Sequence, residues 1–73
     1  MENVEMALKI PGSFAAKAYN VTERYGKIKQ SEWQSDGAWV GIIDLPAGME
    51  AEFLEKINKL THGRVQIKIL KRS

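Results

Sequence analysis

A tight turn leads directly into the most apolar part of the chain in the segment Ser35-Asp36-Gly37-Ala38-Trp39-Val40-Gly41-Ile42-Ile43-Asp44-Leu45. An Asp-Gly pair between two extended stretches is typical of a β-hairpin turn. The stretch after the turn, 39–45, is apolar at most positions and is predicted to be a central strand. The stretch before it, 27–34, has only Ile28 and Trp33 as strongly apolar residues, so it is predicted to be an edge strand, where polar residues cost least.

A strand and a helix precede this hairpin. The strand, 4–10, is apolar at every second position, which indicates burial on one face: Val4, Met6, Leu8 and Ile10. We expect Ser13 to be the N-cap of a helix that runs to Tyr25, and Gly26 to close that helix in a left-handed conformation. Residues at helical spacing mark its inward face: Ala15, Ala18, Tyr19, Thr22 and Tyr25.

A second helix and a last strand follow the hairpin. The helix is predicted to begin after Pro46-Ala47-Gly48 and to be closed by Gly63. Its apolar stripe consists of Phe53, Leu54, Ile57, Leu60 and Thr61. The last strand, 65–70, alternates inward residues with Gln66, Lys68 and Leu70, and Lys71-Arg72 is predicted to be a basic tail.

The resulting order, strand–helix–strand–strand–helix–strand, predicts one α+β domain over residues 1–73. It is the order of a ferredoxin-like βαββαβ sandwich, a four-stranded antiparallel sheet with both helices on one face. Right-handed crossovers place the first and third strands in the centre of that sheet.

Composition excludes several classes of protein. A hydrophobic fraction of 44% with 27% charged residues is ordinary for a soluble globular domain. The chain has no cysteine, so disulfides, thiolate metal sites and cysteine nucleophiles are excluded. This leaves the compartment open, and a reducing cytoplasm, the expected location, fits. The longest apolar run, 38–43, ends at Asp44, far short of the roughly 18 residues of a membrane span. A net charge of +2 favours polyanionic partners only weakly.

Catalytic patterns are missing from the sequence. His62 is the only histidine, and its neighbours supply neither a nucleophile nor a group to orient it, so we interpret it as a solvated residue at the end of the second helix. Metal-ligand spacing and glycine-rich phosphate loops are also absent. The sequence therefore predicts a protein that is not an enzyme and needs no cofactor, metal or small-molecule substrate.

The face of the sheet opposite the helices is the candidate binding surface. A two-residue loop at Asp36-Gly37 would pair Trp33 with Val40 and bring Trp33 onto that face beside lysines, an arrangement suited to RNA. A three-residue loop with a bulge would instead place Trp33 opposite Trp39, in or beside the core. A solvated lysine face or docking against a neighbouring domain explains the same residues. The candidate contacts are Lys9, Lys27, Lys29, Trp33, Lys68, Lys71 and Arg72.

Blocks of sequence along nearly the whole chain resemble a known family. They are Phe14-Ala15-Ala16-Lys17-Ala18-Tyr19, Tyr25-Gly26-Lys27-Ile28, Glu32-Trp33-Gln34-Ser35-Asp36-Gly37, Leu45-Pro46-Ala47-Gly48, Leu60-Thr61-His62-Gly63 and Lys68-Ile69-Leu70. Together they look like the third, C-terminal domain of archaeal members of the Shwachman–Bodian–Diamond syndrome protein (SBDS) family. Ala16 departs from the glycine expected there, a change that favours the helix.

The resemblance implies a function as well as the fold. SBDS-like proteins bind rRNA of the large ribosomal subunit and work with an elongation-factor-like GTPase to release the anti-association factor that blocks subunit joining. By resemblance, the expected partners are the large subunit, through its rRNA and protein, and that GTPase, with no membrane. The alternative is a protein-docking or dimerising ferredoxin-like domain with no nucleic-acid role. Binding to RNA weakens steeply as salt rises, whereas apolar docking does not.

Overall fold

The computed structural model describes residues 2–72, so residues 1 and 73 of the expected domain lie outside the described residues. In chain order the elements are β1 (Asn3–Ile10), α1 (Gly12–Tyr25), β2 (Lys27–Trp33), β3 (Trp39–Pro46), a 3-10 turn (Ala47–Met49), α2 (Glu50–Leu60) and β4 (Gln66–Arg72). The strands form one antiparallel sheet in the order β2-β3-β1-β4. This confirms the α+β, ferredoxin-like prediction, with β1 and β3 in the centre and β2 at an edge.

The core lies between the sheet and the two helices. Alternate residues of β1 are buried as predicted, and they pack with Trp39, Ile43 and Leu45 of β3. The helices complete the core with small residues of α1 and large residues of α2: Ala15, Ala18, Phe53 and Ile57. One face of the sheet is thereby covered, which we call the helix side; the opposite face is the open face.

The ends of α1 differ from the sequence prediction. The helix begins at Gly12 directly after Pro11 and has no side-chain cap, so the prediction of Ser13 as N-cap is wrong. Gly26 follows the helix in an extended conformation with φ −161°, so the left-handed cap is wrong as well. Glycine is required there because the chain passes close to β3: a Cβ on Gly26 would lie 2.5 Å from the carbonyl oxygen of Asp44.

The end of α2 agrees with the prediction. Gly63 has φ 79° and its N–H donates to the carbonyl oxygen of Asn58 at 2.8 Å, which closes the helix. Such a left-handed glycine satisfies a carbonyl that the helix itself leaves free. His62, just before it, is exposed and also has a positive φ of 54°.

The hairpin between β2 and β3 sets the orientation of β2. The N–H of Gln34 donates to the carbonyl oxygen of Ala38 at 2.8 Å, so the loop contains three residues and ends on Gly37 at φ 89°. Trp33 therefore pairs with Trp39. The pairing of Trp33 with Val40 is wrong, and the alternative with a three-residue loop is confirmed.

The C-terminal residues extend β4 instead of forming a tail. Beyond an irregularity in the pairing that contains Leu70, Lys71 pairs with Glu5 and Arg72 with Val4. The prediction of a basic tail is therefore wrong: the bulge lets the strand continue along β1 after its apolar alternation has ended. Ile67 and Ile69 face the helix side, opposite Leu8 and Met6, but remain 37% exposed because β4 is an edge.

Candidate binding surface on the open face

Pairing across the sheet defines the open face. Its central residues are those of β1 that alternate with the buried ones, together with their partners on β3. The edge residues are the partners of these on β2 and β4. The members are Glu5, Ala7, Lys9, Lys27, Gln30, Glu32, Val40, Ile42, Asp44, Gln66, Lys68 and Lys71.

Two lysines that form no salt bridge with a described residue lie on the β1–β4 half of this face. Lys9 pairs with Gln66 and Lys68 pairs with Ala7, so the two lysines are diagonal neighbours. Both are exposed, and in the part of the chain that the structure describes neither takes part in a salt bridge. They border a shallow depression with Ala7 and Val40 at its base. This half of the open face can therefore offer two ammonium groups beside an apolar floor.

Lys29 also reaches the open face, but its charge is compensated. Its Nζ lies 2.7 Å from Oε1 of Glu5, on the far side of β3. The hydrogen bond to Glu5 and the nearby charges of Glu5 and Asp44 raise the pKa of Lys29. A polyanion would have to replace Glu5 as the partner of this ammonium group.

Lys27 and Lys71 complete the same row of charges. Lys27 pairs with Asp44, and Lys71 pairs with Glu5. The two carboxylates Asp44 and Glu5 therefore lie side by side between Lys27 and Lys71 at this end of the sheet. The most uniformly positive region is the half that contains Lys9 and Lys68.

Arg72 belongs to the helix side. It pairs with Val4, and its guanidinium donates two hydrogen bonds to the carboxylate of Glu50 at 2.8 and 3.0 Å. The hydrogen bond from Arg72, followed by its charge, lowers the pKa of Glu50, while the same contact raises the pKa of Arg72. The pair fastens the end of β4 to the start of α2, so the structure separates Arg72 from the lysines of the open face.

Trp33 also lies on the helix side, 53% exposed, with its ring 6.1 Å from that of Tyr19 on α1. Ser31 lies there too, because its Oγ accepts a hydrogen bond from Nε1 of Trp39 at 2.8 Å. The prediction that an aromatic residue lies among the lysines is therefore wrong. Within residues 2–72 the open face carries no aromatic side chain. Glu32 pairs with Val40, the place expected for Trp33, and this register follows from the three-residue loop.

In the range 2–72, no group of three or more His, Asp or Glu side chains is placed to hold a metal ion. None of the helices described is long and apolar enough to cross a membrane.

Comparison with known proteins identifies the family. The model of the SBDS protein C-terminal domain matches residues 4–72. A ribosome maturation protein SDO1 homolog of Methanothermobacter thermautotrophicus is 41% identical over 70 residues, which cover 96% of this chain and 30% of that protein. The ribosome maturation protein SDO1 homolog of Aeropyrum pernix is 30% identical over 66 residues, which cover 90% of this chain and 28% of that protein.

A solved structure supports the fold independently. The crystal structure of a hypothetical protein superposes with a TM-score of 0.78 at 22% identity, covering 97% of this chain and 34% of the other. The chain thus spans about a third of the length of the proteins that it matches. Because the family model spans almost every residue and the fold agrees, this chain belongs to the family of the SBDS protein C-terminal domain.

Proposed function

We propose that this chain is a non-catalytic binding module of a ribosome maturation factor. The observation that carries the proposal is the 41% identity, over 96% of the chain, to a protein named as a ribosome maturation protein. The chain spans only 30% of that relative, so a module within such a factor is the unit that the similarity supports.

The module contacts rRNA or protein of the large ribosomal subunit in the cytoplasm. The open face supports this part of the proposal, because Lys9 and Lys68 are exposed beside an apolar floor and outside any ion pair of the described residues. Ammonium groups of this kind bind phosphates and release counterions. Lys27, Lys29 and Lys71 add contacts in the neighbouring row, while Trp33 and Arg72 contact partners from the helix side.

An elongation-factor-like GTPase is the second proposed partner, during release of the anti-association factor. The resemblance to the SBDS family supports this partner, and the open face provides an uncovered sheet on which it can dock. No step of the proposed role requires chemistry by the chain itself.

The proposal is tested by co-sedimentation with archaeal large subunits. The variant Lys9→Gln/Lys68→Gln removes two charges from the open face, and Arg24→Gln/Arg64→Gln removes two exposed charges elsewhere. We expect the open-face variant to bind about tenfold more weakly at moderate salt, because two phosphate contacts are lost, and the control to bind as the unmodified chain does. Equal binding by the two variants would contradict a role for the lysines of the open face.

Protein docking is the second candidate function, and the apolar floor favours it. Ala7, Val40 and Ile42 form a half-buried stripe along the middle of the open face. Removal of such a stripe from water drives association that depends little on salt. Binding to large subunits that is unaffected by both charge variants would favour this function.

A further inference from the structure

The fold gathers basic residues that are far apart in the sequence into one cleft on the helix side. Lys17 of α1 meets Lys56 and Lys59 of α2 there, and His62 lies at the end of the cleft. Ser13, Phe14 and Leu60 complete the lining. The cleft measures about 530 Å³, which is within the range of small-molecule binding sites, about 300 to 1,000 Å³. We call it the basic cleft.

The charged side chains that line the basic cleft in the described residues are all basic. No acidic side chain lines it, and its lysines form no salt bridge within residues 2–72. Glu52 and Glu55 line an adjoining groove that Lys56 and Lys59 also border. Glu52 is engaged there, because its carboxylate accepts the hydroxyl hydrogen of Tyr25 at 2.7 Å.

Like charges that converge repel one another, and Glu52 and Glu55 offset only part of the charge of Lys56 and Lys59. An anion placed between the lysines would remove that repulsion. Ser13 adds a hydroxyl donor. His62 is held at the rim by its ring contact with Phe14, at 5.6 Å between centroids. The cleft therefore combines cationic groups and a neutral donor, the combination that binds phosphate.

We propose that the basic cleft binds the phosphate groups of an RNA backbone. The proposal rests on the proposed function at the ribosome and extends it to a second surface, on the opposite side of the sheet from the open face. Lysines from two helices line the cleft, so it offers more than one ammonium group to the phosphates of a strand. With both surfaces occupied, the module would bridge two segments of rRNA.

The test measures binding of the chain to a fluorescein-labelled RNA duplex by anisotropy over a range of salt concentrations. The variant Lys17→Gln/Lys59→Gln is compared with Arg24→Gln/Arg64→Gln, which has the same net charge. Loss of two phosphate contacts should weaken binding about tenfold at moderate salt and reduce the slope of log K against log salt by about 2. The control should change neither quantity by as much, and Lys17→Arg/Lys59→Arg should retain binding.

Thermal melting tests whether the variants remain folded, so that a difference in RNA binding is not caused by unfolding. Both glutamine variants alter only exposed side chains, so both should melt close to the unmodified chain. A second arm replaces the duplex with inorganic phosphate, followed by NMR shifts of residues lining the cleft. Phosphate binding as tight as duplex binding would overturn the assignment to RNA in favour of a small anion.

The remaining outcomes separate this inference from the proposed function. If the cleft variant and the control bind the duplex equally, or if the unmodified chain does not bind it at all, the inference is overturned. The proposed function is judged by co-sedimentation of the open-face variant with large subunits, so it can stand when the cleft inference falls.

Discussion

Thr22 and Thr61 are the two buried polar residues found in the described part of the core, and their hydroxyl groups are satisfied differently. Oγ1 of Thr61 donates to the carbonyl oxygen of Ile57 at 2.8 Å, whereas Oγ1 of Thr22 has no hydrogen-bond partner. A buried hydroxyl without a partner costs about 1 to 3 kcal/mol. The sequence placed both residues on inward faces but gave no indication of this difference, because it depends on the distance to a neighbouring carbonyl.

Valine substitution at the two positions should therefore have opposite effects. Thr22→Val replaces an unsatisfied hydroxyl with a methyl group of similar size, and we expect the free energy of unfolding to rise by about 1 kcal/mol. Thr61→Val removes a hydrogen bond and should lower it by about 1 kcal/mol. Urea denaturation of the two variants measures both changes, and a loss of stability in Thr22→Val would show that its hydroxyl is satisfied after all.

At the scale of elements, strand order and strand faces were predictable to different degrees. β1 has apolar alternation strong enough to fix which side faces the core, and Asp44 marks the open side of the otherwise apolar β3, so the positions of Lys9 and Asp44 followed from the sequence. β2 has little alternation, so its faces depended on the loop, and one additional loop residue turned Trp33 to the helix side. An irregularity between Ile28 and Gln30 reverses the alternation again, which returns Lys27 to the open face.

The salt bridge between Arg72 and Glu50 joins the end of β4 to the start of α2. Because Arg72 lowers the pKa of Glu50 in the folded chain below its value in the unfolded chain, the unfolded chain binds a proton more readily at that carboxyl. The stabilisation is therefore fully present above the unfolded pKa of Glu50, and it is lost as pH falls through the folded pKa.

Glu50→Gln should reveal this dependence. We expect the variant to melt below the unmodified chain at about pH 7, by a small amount because Arg72 is largely exposed. The difference should be smaller at about pH 3, because Glu50 becomes protonated as pH falls through its lowered folded pKa. Melting curves of the two chains at both pH values provide the measurement. The titration of the other carboxyl groups affects both chains alike, so it does not contribute to the difference. A difference that grows as pH falls would contradict the assigned role of the pair.

At the scale of the whole molecule, the distribution of charge matters more than the net charge of +2. The lysines of the open face lie on β1, β2 and β4, whereas the lysines of the basic cleft lie on the two helices. The part of the open face on β1 and β3 was predictable from residue pattern and strand order, whereas the part on β2 depended on the loop. The basic cleft was not, since Lys17 and Lys59 meet only through the packing of α1 on α2.

Binding of the unmodified chain to large ribosomal subunits at increasing salt tests the central claim most directly, because the claim is that this module recognises a polyanionic surface through its lysines. We predict that the chain sediments with large subunits at low salt and that log K falls linearly with log salt, with a slope of about −2 or steeper, as expected for two or more phosphate contacts. Binding whose affinity is the same at low and high salt, or no binding even at low salt, would contradict the account.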